Sequence, residues 1–152
     1  MLTLYRVAKT TRPVFDTSGA YLQGGRWNSP GRHVIYASTC LAGSLLEILA
    51  HAGRRLKIPG KHRCARGTIP EQVEVEVLEE ELLAGWDAEE SEVARTYGDD
   101  WLRDNRTAVI SVPSVIARPY GRNLLLNPAH PQFSQIRFER PAPIVWDARL
   151  FS

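Results

Sequence analysis

The sequence predicts an α+β fold in a single domain spanning residues 1–152. Three observations carry this expectation: strand-like runs lie near both ends, the strongest helical period lies between them, and 152 residues suit one hydrophobic core. A chain of this length can bury enough apolar surface to need neither metal nor disulfide. Cys40 and Cys64 therefore need not pair, and without a C-x-x-C spacing neither a zinc site nor a redox motif is expected.

Taken in order, LTLYRVA at 2–8 reads as a first strand, with Leu2, Leu4 and Tyr5 apolar and Thr3 and Arg6 polar. Residues 9–23 have no clean period. GGRWNSPGR at 24–32 crowds glycine and proline into a tight, specially shaped loop, and HVIYAS at 33–38 follows as a short strand. The best helix covers about 40–52, with Ser38 or Thr39 as N-cap and Gly53 as its stop. On a helical wheel Leu41, Ala42, Leu45, Leu46, Ile48 and Leu49 share one arc, which predicts a buried side; Ser44, Glu47 and His51 fall outside it. Residues 53–71 read as a basic loop with Pro59 and Pro70. Val73, Val75 and Val77 alternate with Glu as a further strand. The acidic segment 86–104 predicts one or two helices broken at Gly98, with Trp86, Val93, Tyr97, Trp101 and Leu102 offering core contacts. From Thr107 the short runs TAVISVP, NLLLN, FSQIRFE and PIVWD predict a β-rich remainder.

Apolar content of 43% and charged content of 24% exclude collagen-like, disulfide-scaffold and wholly disordered classes. No apolar run approaches the roughly 20 residues that span a bilayer, and the N-terminus lacks a secretory core, so a cytoplasmic protein without membrane partners is expected. A net charge of +2 conceals a separation along the chain. Arg54, Arg55, Lys57, Lys61, Arg63 and Arg66 lie in a stretch with no acid, whereas Glu71–Asp100 holds twelve of the seventeen acids. A solvated basic loop beside an acidic face accounts for this; a non-enzymatic module binding RNA or an acidic protein is the competing class.

Nucleophile elbow, P-loop, dinucleotide fingerprint, zinc-protease motif and Ca²⁺ loop are all missing. The set that remains is Arg6, Arg26, Tyr36 and Glu47, each at a definite point of a strand, loop or helix. An Arg fork pairs with pyrophosphate oxygens, and Gly24 and Gly25 let the backbone approach a ligand beside Arg26. A Tyr stacks on a ring, and a carboxylate stabilises the cationic sugar formed when an N-glycosidic bond breaks. His51, one turn beyond Glu47, is a second polar candidate. Read singly, each residue is better explained as a solvated or core side chain.

Together, LYRV at 4–7, GGRWNSPG at 24–31, VIYAS at 34–38 and LAGSLLEILAH at 41–51 resemble the RES-domain family, toxins paired with Xre-type antitoxins. YGDDWL at 97–102, SVPSVI at 111–116, NLLLNPAHPQF at 123–133 and WDARLF at 146–151 extend the resemblance in the same order. The family takes its name from an Arg, a Glu and a Ser.

The resemblance implies an ADP-ribosyltransferase-like fold, a bent and split β core with flanking helices and a cleft for NAD⁺, which is substrate rather than resident cofactor; no metal is implied. It places Arg6 and Arg26 on NAD⁺, Tyr36 beside the nicotinamide ribose and Glu47 as the catalytic carboxylate. Ser114 falls in the pocket, with Ser111 as its rival, and Asn127 is a further candidate for binding or for shaping its loop. The segment 53–71 follows no family motif. The expected activity is cleavage of the nicotinamide bond, depleting NAD⁺ by hydrolysis or phosphorolysis. The alternative is mono-ADP-ribosylation of a bacterial protein. An Xre-type antitoxin blocking the cleft is the implied partner, with nucleic acid reached only through it.

Overall fold

The computed structural model describes residues 1–53 and 59–151. Its strands are β1 (Leu2–Lys9), β2 (Ile35–Ser38), β3 (His62–Ile69), β4 (Val75–Val77), β5 (Val109–Pro113), β6 (Arg122–Leu126), β7 (Arg137–Phe138) and β8 (Ala142–Pro143). Helices α1 (Ser18–Gln23), α2 (Leu41–His51) and α3 (Glu92–Asp104) complete it, with short 3₁₀ turns at Glu80–Leu82, Pro131–Gln135 and Ala148–Leu150. The strands form one curled mixed sheet in the order β4-β5-β6-β2-β1-β3-β7, with β8 also on β3, as the expected α+β class requires. Among the described residues, only β4 and β5 run parallel.

The join between the two halves of this sheet positions the site. β1 pairs with β3 along its whole length, from Leu2↔Ile69 to Lys9↔His62, but meets β2 at the single pair Tyr5↔Ser38. β4-β5-β6-β2 and β1-β3-β7 are thus two halves hinged at one register pair. Past it, the Arg6 guanidinium takes the Tyr36 carbonyl at 2.9 Å, where a neighbouring strand would otherwise bond. An opening between strands that satisfies its backbone groups with side chains is stable, because buried carbonyls are not left orphaned.

Both faces of the central strands are buried, which is why NLLLN reads as a continuous apolar run rather than an alternating one. Leu124 and Leu126 join Leu4, Ile35, Ile69 and Val109 on one face; Leu125 joins Ile110, Val112, Trp27, Trp86 and Trp101 on the other.

Several expectations change. α2 is N-capped by Cys40, whose sulfur accepts from the Gly43 N–H, rather than by Ser38 or Thr39. Its apolar arc is not its buried side: Leu41 and Leu46 are 37% and 43% exposed, while Ser44 is buried. The reason is polar, since Ser44 Oγ donates to the Tyr5 carbonyl and Gly43 rests on Ser38, so the small residues face the sheet. The supposed loop 53–71 contains β3, the partner of β1; the part of it at 54–58 lies outside the described residues. α3 runs unbroken through Gly98, and Val93 faces outward at 38% exposure. FSQIRFE divides between the end of a 3₁₀ turn at Phe133–Gln135 and the two-residue strand β7, PIVWD holds no strand beyond the edge of β8, and α1 forms where no period was legible.

Gly98 is in α3 because of packing. A methyl group there would overlap the Trp27 carbonyl, so only glycine lets the helix lie against the loop 24–31. The next residue, Asp99, accepts from Ser29 N–H at 2.9 Å and Ser29 Oγ at 2.5 Å. YGDD is thereby the clasp for GGRWNS.

Candidate active site

Glu47 projects from α2 onto β6, where its Oε1 accepts a hydrogen bond from Asn123 Nδ2 at 2.8 Å. Ser44, one turn earlier on the same face, pins the helix to β1. A methyl group on Gly43 would lie 2.6 Å from Ser38 Oγ, so glycine permits the close seating that sets the height of Glu47 above the sheet.

Register places Tyr36 on this same face. Ser38 pairs with Asn123, and Tyr36 lies two residues further along β2, about 7 Å away on the side that Asn123 also faces. The Tyr36 hydroxyl donates to Asn28 Oδ1 at 2.6 Å and accepts from the Trp27 N–H at 3.1 Å. Burial pushes its pKa up, so the phenol stays neutral and acts as a clamp on the loop. A methyl on Gly25 would collide with that hydroxyl, which is what the second glycine of GGRWN prevents. Asn28, fully buried, also donates to the Ala20 and Ser29 carbonyls.

Arg26 extends from the clamped loop and donates through one nitrogen to the carbonyls of Trp86 (3.2 Å) and Ala88 (2.9 Å). Arg6 sits at the sheet opening, bonded to the Val14 and Tyr36 carbonyls. Burial lowers its pKa, opposed by the charge of Asp16, and none of the ion pairs among the described residues includes it. A desolvated guanidinium held by neutral carbonyls keeps its charge available to an anion.

The remaining candidates are placed differently. His51 is exposed, with ring Nδ1 2.7 Å from the Glu47 carbonyl oxygen. Ser114 is buried and its Oγ accepts from the Ala117 N–H. Ser111 Oγ accepts from Arg122 Nε on β6, and its register partner Leu124 puts it on the face away from Asn123. Asn127 bridges Asn105 Oδ1 and the Ala129 N–H, the loop-shaping geometry.

Asn123, Asn28 and Asp99 escaped sequence reasoning. A polar residue opening the apolar run NLLLN was the one available signal for Asn123, since Asn is disfavoured in strands. Two surface hollows of about 330 and 390 Å³ lie beside Trp86 and Tyr97. Neither is lined by Arg6, Tyr36 or Glu47, and their carboxylates, Glu80, Glu81 and Asp87 in one and Glu92 and Asp100 in the other, would repel a diphosphate. Among the described residues no cluster of His, Cys, Asp or Glu could hold a metal ion, and no helix is long and apolar enough to cross a membrane.

Comparison with known proteins concerns the chain as a whole. The chain is 35% identical over 137 residues to the "Prs ADP-ribosylating toxin" of Sphingobium sp. (strain YBL2), covering 88% of this chain and 84% of the relative. It is 37% identical over 141 residues to "Toxin Res" of Pseudomonas putida (strain KT2440), covering 88% and 90%. The fold matches a chain of the crystal structure of the M. tuberculosis MbcT–MbcA toxin–antitoxin complex, with a TM-score of 0.73 at 18% identity over 99% of this chain and 86% of that one. With the RES domain model also matching residues 3–147, from β1 to the end of the sheet and beyond, the chain belongs to the RES-domain family.

Proposed function

We propose that this protein is the toxin of a toxin–antitoxin pair and that it breaks the nicotinamide N-glycosidic bond of NAD⁺. The observation that carries this is the Glu47 carboxylate, fixed by one oxygen to Asn123 on the sheet face it shares with Tyr36, beside an opening spanned by Arg6, a cation in no ion pair among the described residues. The similarity to a relative named as an ADP-ribosylating toxin, and to a chain of a toxin–antitoxin complex, supports it.

In this reading Arg6 and Arg26 hold the diphosphate and the Tyr36 ring lies beside the nicotinamide ribose. The bond from the anomeric carbon to the ring nitrogen breaks, its electron pair leaves with nicotinamide, and the free oxygen of Glu47 stabilises the positive sugar. An oxygen nucleophile then bonds to that carbon. With water the products are ADP-ribose, nicotinamide and a proton; with phosphate the phosphorylated sugar replaces ADP-ribose. The cell loses NAD⁺ either way.

A second reading, transfer to a protein side chain, is favoured by the name of the Sphingobium relative. The bond-breaking step is the same and the acceptor differs. Incubation of the pure chain with NAD⁺ alone separates them. Nicotinamide release without added protein is expected; release only with lysate, together with a labelled protein band, establishes transfer instead, and no release under either condition defeats both. Strong, salt-sensitive RNA binding without NAD⁺ turnover would identify a binding module. The partner in this proposal is an Xre-type antitoxin covering the cleft.

A further inference from the structure

We infer that Asn123 is a positioning residue for Glu47, an inference that rests on the NAD⁺-cleaving reading above. An ionised carboxylate has only acceptor oxygens, so the group 2.8 Å from Glu47 Oε1 must be the amide N–H and not its oxygen. The contact joins residues 76 apart in sequence, one on a helix seated by Ser44 and Gly43 and one on a strand flanked by β2 and β5. Both ends are therefore held by the scaffold, and the bond fixes the rotation of the carboxylate. Oε1 is occupied; Oε2 is the oxygen left to face the sugar.

The placement of the amide has a cost that packing does not explain. Asn is among the poorest strand formers, and β6 is otherwise apolar from Leu124 to Leu126. Asn123 stands between Ser38 and Val112 near the start of β6, where its short amide meets Glu47. A Leu there would extend the apolar run and leave the carboxylate free to rotate.

The experiment is steady-state nicotinamide release by wild type, Asn123→Ala and Asn123→Asp across pH 5–9, with circular dichroism and thermal melts of each. Asn123→Ala is expected to lower kcat by about tenfold to a hundredfold, the scale of a misplaced reacting group, while KM for NAD⁺ changes little. Asn123→Asp supplies the diagnostic readout. While the two carboxyl groups share one proton, the protonated Asp donates as the amide did, and turnover is restored at low pH. As pH rises that proton is lost, the two carboxylates repel, and turnover falls along a limb that wild type lacks.

Wild-type kcat and pH profile in both variants would overturn the positioning role while leaving the NAD⁺ reading intact. A wild-type chain without turnover would overturn both. If Asn123→Ala does not fold, the isosteric Asp variant decides by its profile: an acid-side rescue supports the role and a flat loss at all pH values removes it.

Discussion

Glu47, Tyr36 and Arg26 are each held by different partners, and substitutions separate their contributions. Glu47→Gln keeps shape and loses charge; because the side chain is half-buried at the surface of α2, the fold should persist while nicotinamide release falls by most of its rate. A melt within a few degrees of wild type together with full activity would remove Glu47 from the chemistry. Tyr36→Phe strips one hydroxyl from two buried partners, Asn28 Oδ1 and the Trp27 N–H. Urea unfolding should show a loss of about 1–3 kcal/mol, with NAD⁺ affinity weakened through the loosened loop. Arg26→Ala should raise the apparent KM for NAD⁺ by about tenfold or more, the consequence of one lost charged hydrogen bond of about 1.5–3 kcal/mol. An unchanged KM would show that the contacts of Arg26 with the Trp86 and Ala88 carbonyls are its whole role.

At the scale of elements, the site depends on close approaches that only glycine allows. Helix propensity alone predicts that Gly98→Ala stabilises α3 by about 1 kcal/mol. The structure predicts the opposite sign, because the new methyl meets the Trp27 carbonyl, a backbone atom with no rotamer to yield. A thermal melt decides between the two, and a lowered midpoint with a raised KM would tie α3 to the GGRWN loop. The exposed Leu41 and Leu46 belong to the same account: α2 turns Gly43 and Ser44 to β2 and β1, so Glu47 can reach Asn123, and that part of the apolar arc is left outward.

Across the whole molecule, Glu76 fastens the edge strand β4 to Tyr97 of α3 by a hydrogen bond and to Arg106, just past the helix, by an ion pair. Burial pushes the Glu76 carboxyl up, but hydrogen bonds from Arg106 and Tyr97 overcome this and hold it below its ordinary value of 4.5. A carboxylate depressed in the folded state contributes stability that is present above its unfolded pKa and lost as pH falls through the folded one. Stability should therefore decline below about pH 4.5, and Glu76→Gln should flatten that decline in urea titrations at pH 3–6. In cells, expression of the wild type should arrest growth and expression of Glu47→Gln should not, with NAD⁺ levels following the same division.

Residue order by itself determined the α+β class, the strands β1, β2, β5 and β6 and the existence of α2, and it offered Arg6, Arg26, Tyr36 and Glu47 as candidates, because period, turn residues and local motif are all encoded within short windows. Tertiary structure alone decided that β3 completes the sheet from within a basic stretch, that Gly98 continues a helix, and that Asn123 meets Glu47. Each of those depends on a partner tens of residues away in sequence. A strand held on both edges needs no alternation, a helix pressed on a loop needs no Cβ, and an amide finds its carboxylate only once the sheet register is set.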